Sequence, residues 1–140
     1  MIKLNPYLNF MGKTEDAFNF YKSVFGGEFA FFQRFIDTPD KDRISANELE
    51  KVMHVSLPIG ENLLMGTDAL ESMKHKVTFG NNISLSLEVD DKVQADTIFN
   101  ALSADGKADM PMADASWGAY FGILTDKFGV KWMVNHTYKK

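Results

Sequence analysis

The order of predicted elements occurs twice along the chain, and this repeat limits the possible folds more than any other feature. In the first half, a helical pattern follows a β-prone run at 4–10, and its apolar stripe, spaced by three and four residues, consists of Ala17, Phe20, Tyr21, Val24 and Phe25. Three further β-prone runs come next, at 28–36, 51–59 and 62–68. The first half therefore predicts the order β-α-β-β-β.

Local signals mark the ends of the first helix and the turn of the last hairpin in this half. Thr14 is predicted to cap the helix N-terminus, and Gly26-Gly27 can adopt the backbone conformation that ends it. Gly60-Glu61 suits a two-residue hairpin turn with glycine first. The polar stretch 37–50 is predicted to be a long loop, which could act as a lid over a site.

The same order begins again at 83–89. Asp90-Asp91 can cap a second helix, and Gly106 is predicted to end it. The apolar stripe of this helix consists of Ala95, Ile98, Phe99 and Leu102. Three β-prone runs follow, at 107–113, 117–125 and 130–138.

The spacing of matching glycines supports two units of unequal length. The helix-ending glycines, Gly26 and Gly106, are 80 residues apart, whereas the hairpin glycines, Gly60 and Gly129, are 69 apart. The polar stretch near 37–50 accounts for the difference. Neither half has enough strands to cover its own apolar face. We therefore predict one α+β domain over 1–140, with module one at about 1–69, a polar linker at 70–82 and module two at about 83–140.

Composition excludes several classes of function. The chain has no cysteine, which excludes disulfides, thiolate metal sites and cysteine nucleophiles. Its formal net charge of −4 gives no basic patch for nucleic acid or for an anionic membrane surface. The N-terminus is too short and polar for a signal peptide, and no apolar run approaches the ~18 residues of a membrane span. We expect a cytoplasmic protein without nucleic-acid or membrane partners.

The run 83–89 alternates polar and apolar residues with a period of two, and its polar members are Ser84, Ser86 and Glu88. If the apolar face packs on the helix, the polar face lines a cavity. A carboxylate in a semi-enclosed cavity can have its pKa raised, so Glu88 is a candidate general base or substrate anchor. The simpler interpretation is a solvated strand end.

The other candidate residues also have structural explanations. His54 shares a strand face with Ser56, and both could line a cavity, although histidines are more often surface or hydrogen-bonded residues. Asp68 and Asp126 follow strand ends and are predicted to hydrogen-bond turn backbone. Large aromatic residues that flank the predicted cavity, but are more often core than ligand contacts, are Trp117, Tyr120, Phe121 and Trp132.

Four stretches carry a family resemblance: PYLNFMGKTEDAFNFYKSVFGGE at 6–28, HVSLPIGENLLMGTD at 54–68, ISLSLEVDD at 83–91 and SWGAYFGILTDKFGVKWMVN at 116–135. Together they resemble the vicinal oxygen chelate superfamily of glyoxalases, bleomycin resistance proteins and dioxygenases, and more closely its PhnB-like branch. The resemblance implies tandem βαβββ modules whose mixed sheet curls into a cup around a small-molecule cavity, with the helices outside. It also implies a homodimer.

The resemblance also implies where a metal ion would bind. In metal-dependent members, a glutamate ligand lies four residues after the glycine of each module's late turn, and a histidine or glutamine lies on each first strand. The four matching positions are Met133, Leu64, Pro6 or Tyr7, and Ile83 or Ser84. Because thioether and aliphatic side chains cannot replace a carboxylate on a divalent ion, we predict no metal at these positions.

Three functional hypotheses follow. The first is a metal-free, cofactor-free protein that binds a small molecule through Tyr7, Ser56, Ser84, Ser86, Trp117, Tyr120, Trp132 and Met133. The second is a lyase or isomerase of the glyoxalase type, with a relocated metal or none and with Glu88 or His54 as the base. The third is a structural or regulatory partner with only a vestigial cavity. Some PhnB-like relatives are labelled methyltransferases, but the chain lacks a glycine-rich turn for a methyl-donor cofactor.

Overall fold

The computed structural model describes residues 1–139, which form two compact units, 1–78 and a second that begins at Phe79. The elements of the first unit are β1 (Tyr7–Phe10), α1 (Thr14–Phe25), β2 (Phe31–Arg34), β3 (Val52–Ile59) and β4 (Asn62–Asp68). Those of the second are β5 (Leu85–Glu88), α2 (Lys92–Ser103), β6 (Lys107–Ala115), β7 (Ala119–Thr125) and β8 (Lys131–Thr137). The predicted α+β class and the duplicated βαβββ order are confirmed.

Each unit contains one mixed four-stranded sheet, and the two sheets have the same strand order. The order is β1-β4-β3-β2 in the first unit and β5-β8-β7-β6 in the second. The first strand of each unit pairs with its last strand in parallel, and the other pairs are antiparallel. Each sheet is therefore complete only when the whole βαβββ segment has folded.

Helix α1 packs on its sheet through a face centred on Ala17, Phe18 and Tyr21, which are fully buried. The sequence pattern correctly included Ala17 and Tyr21 but omitted Phe18. It also included three residues that are only half-buried, Phe20, Val24 and Phe25. Phe18 lies over Gly66 of β4, where an added Cβ would come within 2.5 Å of the ring. Glycine in this strand interior permits the helix to approach closely.

Helix α2 follows its predicted pattern more closely. Ala95, Phe99 and Leu102 are buried and Ile98 is half-buried. Phe99 approaches Gly122 of β7, where a Cβ would lie 2.8 Å from the ring. The predicted N-cap is confirmed, since Oδ1 of Asp91 accepts a hydrogen bond of 2.7 Å from the backbone N–H of Gln94.

The predicted N-cap of α1 was wrong. The capping position is Lys13, and Thr14 is the first helical residue. The Thr14 hydroxyl donates a 2.7 Å hydrogen bond to Oδ1 of Asp68, which also accepts from the backbone N–H groups of Gly12 and Thr14. A carboxylate from β4, distant in sequence, therefore satisfies the helix N-terminus, as a local cap would.

The predicted end of α2 was also placed incorrectly. The helix ends at Ser103, and the residue with positive φ is Asp105, at 59°, rather than Gly106. Gly106 has a different role, because an added Cβ would lie 2.3 Å from the carbonyl oxygen of Thr125. The chain after the helix passes directly against the end of β7, and only glycine leaves room for it.

The predicted loop at 37–50 and the predicted hairpin turn are both present, with added detail. Gly60 has a φ of 57° in the two-residue connection between β3 and β4, as the sequence indicated. The first strand begins at Tyr7 rather than at residue 4. Three short 3₁₀ turns lie between β2 and β3, at Phe35–Asp37, Lys41–Arg43 and Ala46–Glu48.

Candidate functional site

Each sheet has one face against its own helix and one face turned away from it, which we call the open face. In β4, Gly66 faces α1, so alternation places Met65 and Thr67 on the open face of the first sheet. Met65 pairs with Tyr7 of β1 and with Ser56 of β3, and these residues share that face. The first unit thus brings together Tyr7, His54 and Ser56, which the sequence analysis had selected.

Tyr7 and His54 form a hydrogen-bonded pair on this open face. The Tyr7 hydroxyl lies 3.0 Å from Nδ1 of His54, and the Phe31 ring centroid lies 5.6 Å from that of the imidazole on its other side. Burial raises the pKa of Tyr7, and a smaller opposing contribution comes from the Thr67 hydroxyl. The phenol therefore keeps its proton near neutral pH, and the imidazole tautomer sets whether the phenol donates to Nδ1 or accepts from it.

A cavity of about 830 Å³ lies along the open face of the first unit. Tyr7, Asn9 and Thr67 form its floor. One wall is the segment 69–78, hereafter the wall segment, which includes Lys74, His75 and Lys76. Apolar side chains complete the lining, among them Phe35, Met53 and Leu70.

The wall segment is fixed to the rest of the unit at several points. Leu70 is buried, and its carbonyl accepts a hydrogen bond from the backbone N–H of His75. Lys74 has a φ of 60°, so the chain reverses there. The Ser72 hydroxyl donates to the carboxylate of Glu48, and this hydrogen bond lowers the pKa of Glu48. Glu48, in the loop between β2 and β3, is 3% exposed, so that loop anchors the wall of the cavity.

On the open face of the second unit, Glu88 already has hydrogen-bond partners from its own sheet. Its Oε1 accepts from the side chains of Asn135 at 2.7 Å and Thr137 at 3.1 Å, and its Oε2 accepts from the Thr137 backbone N–H at 2.9 Å. Burial alone would raise the pKa of Glu88, but these bonds together lower it. The raised pKa expected from the sequence is therefore wrong, and the carboxylate is a weaker base than an unpaired glutamate.

The remaining predicted site residues of the second unit lie on different faces. Ser86 and Met133 pair with each other on the open face beside Glu88, and Ser84 is exposed just before β5. Trp117 is 64% exposed in the turn after β6, with its ring 5.2 Å from that of Phe121.

Tyr120 and Trp132 lie on the helix side of the second sheet. The Tyr120 hydroxyl donates a 2.7 Å hydrogen bond to Asp96 of α2. Trp132 is 1% exposed, and its Nε1 donates to Oδ2 of Asp126 at 2.9 Å. Of the aromatic residues for which the sequence favoured a core role, Trp132 is buried, whereas Tyr120 is only partly buried and Trp117 is exposed, so the expectation was wrong for Trp117.

The two turn aspartates behave differently. Asp126 binds its own turn as predicted, since Oδ1 accepts from the N–H groups of Phe128 and Val130. Asp68 instead joins distant segments, because Oδ2 accepts from the Val52 N–H at 2.9 Å while Oδ1 binds the start of α1.

The position that matches Met133 in the first unit is Met65, not Leu64. Met133 lies between Ser86 and Ile123 on the open face, as Met65 lies between Tyr7 and Ser56. Leu64 points to the helix side and is 2% exposed. Counting from Gly60 failed because the connection at Gly60 has two residues, whereas five separate the paired Thr125 and Lys131. The corrected residue is again a thioether, which suits a divalent ion no better. Within residues 1–139, no three His, Asp or Glu side chains are grouped so that they could hold a metal ion.

Sequence reasoning missed Asn9, Thr67, Lys74 and Lys76 of the cavity lining and Met65 of the open face. The signal for Asn9, Met65 and Thr67 was the interior glycine of β4, which identifies the helix side of the strand and hence its open face. Nothing in the linker composition indicated that the wall segment folds back along the sheet.

The duplicated βαβββ sheet with an open-face cavity defines the structural class of glyoxalase-like proteins. A solved protein of the glyoxalase/bleomycin resistance/dioxygenase family from Burkholderia phytofirmans has this fold, with a TM-score of 0.63, 21% identity and coverage of 94% of this chain and 97% of that one. The model of the 3-demethylubiquinone-9 3-methyltransferase family matches residues 2–135, and the chain belongs to this PhnB-like family.

Three more similar proteins agree with this assignment. The protein YjdN of Escherichia coli is 31% identical over 94% of this chain and 93% of its own length. A protein of known structure from Pseudomonas aeruginosa is 35% identical, with a TM-score of 0.87 and coverage of 99% and 100% of the two chains. A Bacillus cereus structure described as a putative 3-demethylubiquinone-9 3-methyltransferase, PhnB protein, has 29% identity, a TM-score of 0.79 and coverage of 97% and 100%. Over residues 1–139, the structure contains no helix with the length and apolar character needed to cross a bilayer.

Proposed function

We propose that this protein binds a small organic molecule in the open-face cavity of the first unit, without a metal ion. The cavity volume of about 830 Å³ carries the proposal, because small-molecule sites typically occupy roughly 300–1,000 Å³. The lining has the composition of such sites, with apolar side chains and a few polar groups, here Tyr7, Asn9 and Thr67.

The two methionines near the centres of the open faces support binding without metal. Met65 and Met133 occupy the sheet positions at which the resemblance implies carboxylate ligands. A thioether is a poor ligand for a hard divalent ion, whereas its flexible side chain packs well against organic ligands. Elemental analysis of protein purified without chelator is expected to find only substoichiometric divalent metal. The homodimer and the cytoplasmic location remain predictions from the sequence.

A second candidate function is a proton-transfer reaction of the lyase or isomerase type, and the Tyr7–His54 pair favours it. The pair is a hydrogen-bonded phenol and imidazole close to the cavity floor, and His54 is one of the two bases that the sequence suggested. Glu88, the other suggested base, has its pKa lowered by three hydrogen bonds despite partial burial. An enzyme would exchange carbon-bound hydrogen of a bound carbonyl compound with D₂O, and the His54→Gln variant would not.

The binding proposal can be tested with the neutral, environment-sensitive dye N-phenyl-1-naphthylamine. Asn9 is exposed on β1 and lines the cavity floor, so Asn9→Phe fills the cavity without disturbing the core. We expect the Kd of the dye to rise at least about tenfold in this variant, because the added ring occupies the space that the ligand needs.

The matched control is Ser86→Phe, which places the same ring on the open face of the other first strand. We expect this variant to bind the dye like the parent protein, and both variants to keep the parent thermal midpoint within a few degrees. Equal dye affinity in the parent and in a folded Asn9→Phe protein would contradict the proposal.

A further inference from the structure

The wall segment places two cationic side chains, those of Lys74 and Lys76, along the cavity of an acidic protein. Lys74, His75 and Lys76 are consecutive, and all three line the cavity, although the formal net charge of the chain is −4. The reversal at Lys74 and the hydrogen bond from the His75 N–H to the Leu70 carbonyl fix this part of the backbone. The charges therefore lie on an anchored part of the wall.

Lys74 and Lys76 of the wall segment have no carboxylate partner among residues 1–139. Some other cations of the described chain do have such partners, since Lys22 pairs with Glu28, Arg34 with Glu15, and Lys131 with Asp109, whereas Lys41 and Arg43 have none. Within the described part of the chain, Lys74 and Lys76 have no carboxylate oxygen within 4.0 Å and no side-chain hydrogen bond. A ligand anion would be neutralised there without displacing an existing ion pair.

Asp68 is the one carboxylate in the described cavity lining, and it repels a bound anion only weakly. Asp68 is 4% exposed, and its two oxygens accept four hydrogen bonds from Gly12, Thr14 and Val52. It lies at the N-terminus of α1, where the helix dipole offsets negative charge. On the cavity floor, the side-chain amide of Asn9 can donate hydrogen bonds to an acidic head group.

We propose that the ligand of this cavity is a small organic anion, whose carboxylate or phosphate head is bound by Lys74 and Lys76 and whose apolar body packs on Phe35, Met53 and Leu70. This inference rests on the proposed binding function and adds the chemical class of the ligand. Two exposed lysines that act together give an anion a modestly higher affinity than a neutral molecule of the same shape, and the difference depends on salt concentration.

The test uses three competitors with the same chain and different heads: octanoate, octyl phosphate and 1-octanol. Each displaces the neutral dye from the parent protein, from a Lys74→Gln/Lys76→Gln double variant and from a Lys41→Gln/Arg43→Gln control. The control removes the same charge from the loop before β3, outside the cavity lining.

We expect at least one of the two anions to displace the dye from the parent at about tenfold lower concentration than octanol, because two exposed ion pairs add up to a factor of this order. The advantage should disappear in the wall-segment variant, persist in the control and fall as sodium chloride is added. Octanoate and octyl phosphate separate the two kinds of head group.

The outcomes separate this inference from the proposed function. If Asn9→Phe lowers dye affinity but the anions have no advantage over octanol, the ligand class is wrong and the binding site stands. An anion advantage that persists in the Lys74→Gln/Lys76→Gln protein also overturns the inference. If Asn9→Phe leaves dye binding unchanged, the binding function itself is wrong.

Discussion

The two units have the same scaffold but differ in the side chains on their open faces. Both have the βαβββ order, the same strand order and a methionine on the open face of the last strand. In the first unit, polar groups border a cavity of about 830 Å³, and the wall segment brings Lys74 and Lys76 to it. In the second, Glu88 is bound by Asn135 and Thr137 of its own sheet. The buried face must keep its packing, whereas open-face side chains can change without loss of the fold.

The two units also differ in the role of a buried aspartate, Asp68 in the first and Asp126 in the second. Asp68 connects the N-terminus of α1 with the start of β3, so it holds together segments far apart in sequence. Asp126 organises its own turn and binds Trp132, six residues further on. Loss of Asp68 should therefore disturb tertiary structure, and loss of Asp126 mainly one hairpin.

The largest expected effect is that of Asp68→Ala. This change leaves four buried or part-buried donors without an acceptor, from Gly12, Thr14 and Val52, so we expect the free energy of unfolding to fall by about 4 kcal/mol. For Asp126→Ala we expect a fall of about 2–3 kcal/mol. Urea unfolding of both proteins measures the difference. An equal loss in the free energy of unfolding would show that the two carboxylates stabilise the protein to the same extent. It would contradict a tertiary role for Asp68 and a local one for Asp126.

An intermediate effect is expected for Gly66→Ala. The new Cβ would lie 2.5 Å from the Phe18 ring, and overpacking of this kind costs about 1–3 kcal/mol. Phe18→Leu should recover part of the loss in the double variant, since the smaller side chain gives the methyl group room. At Gly122 an added Cβ would lie 2.6 Å from Sδ of Met112 and 2.8 Å from the Phe99 ring, so we expect Gly122→Ala to cost a similar amount. A double variant whose stability is the sum of its single changes would argue against direct contact at Gly66.

The smallest expected effect is that of Glu88→Gln, and it depends on pH. The folded protein lowers the pKa of Glu88 below its ordinary value of 4.5, so the ionised carboxylate stabilises the fold above that value. The contribution is lost as the pH falls through the lowered pKa. The variant should therefore have a slightly lower thermal midpoint than the parent at about pH 7, and the difference should shrink as the pH is lowered through 4.5 towards about pH 3.

The control for this prediction is Glu61→Gln, in the exposed hairpin turn between β3 and β4. We expect its thermal midpoint to follow the parent at both pH values. A Glu88→Gln protein that is more stable than the parent at neutral pH would contradict the prediction. It would indicate that the free-energy cost of partly burying the carboxylate exceeds the stabilisation from its hydrogen bonds.

Hydrophobic periodicity together with turn-forming and capping residues determined the duplicated βαβββ order, the β3–β4 turn at Gly60 and the Asp91 cap. These features depend on residues close together in the chain. The polar face with Ser86 and Glu88 also followed from alternation alone. Tertiary structure decided the rest. Asp68 caps α1 from another strand, Phe18 rather than Phe20 meets the sheet, and the wall segment folds along the first sheet. Glu88 has a lowered pKa because its partners come from β8, 47 and 49 residues away. Contacts at such separations depend on which strands pair and in what register, and no local pattern specifies them.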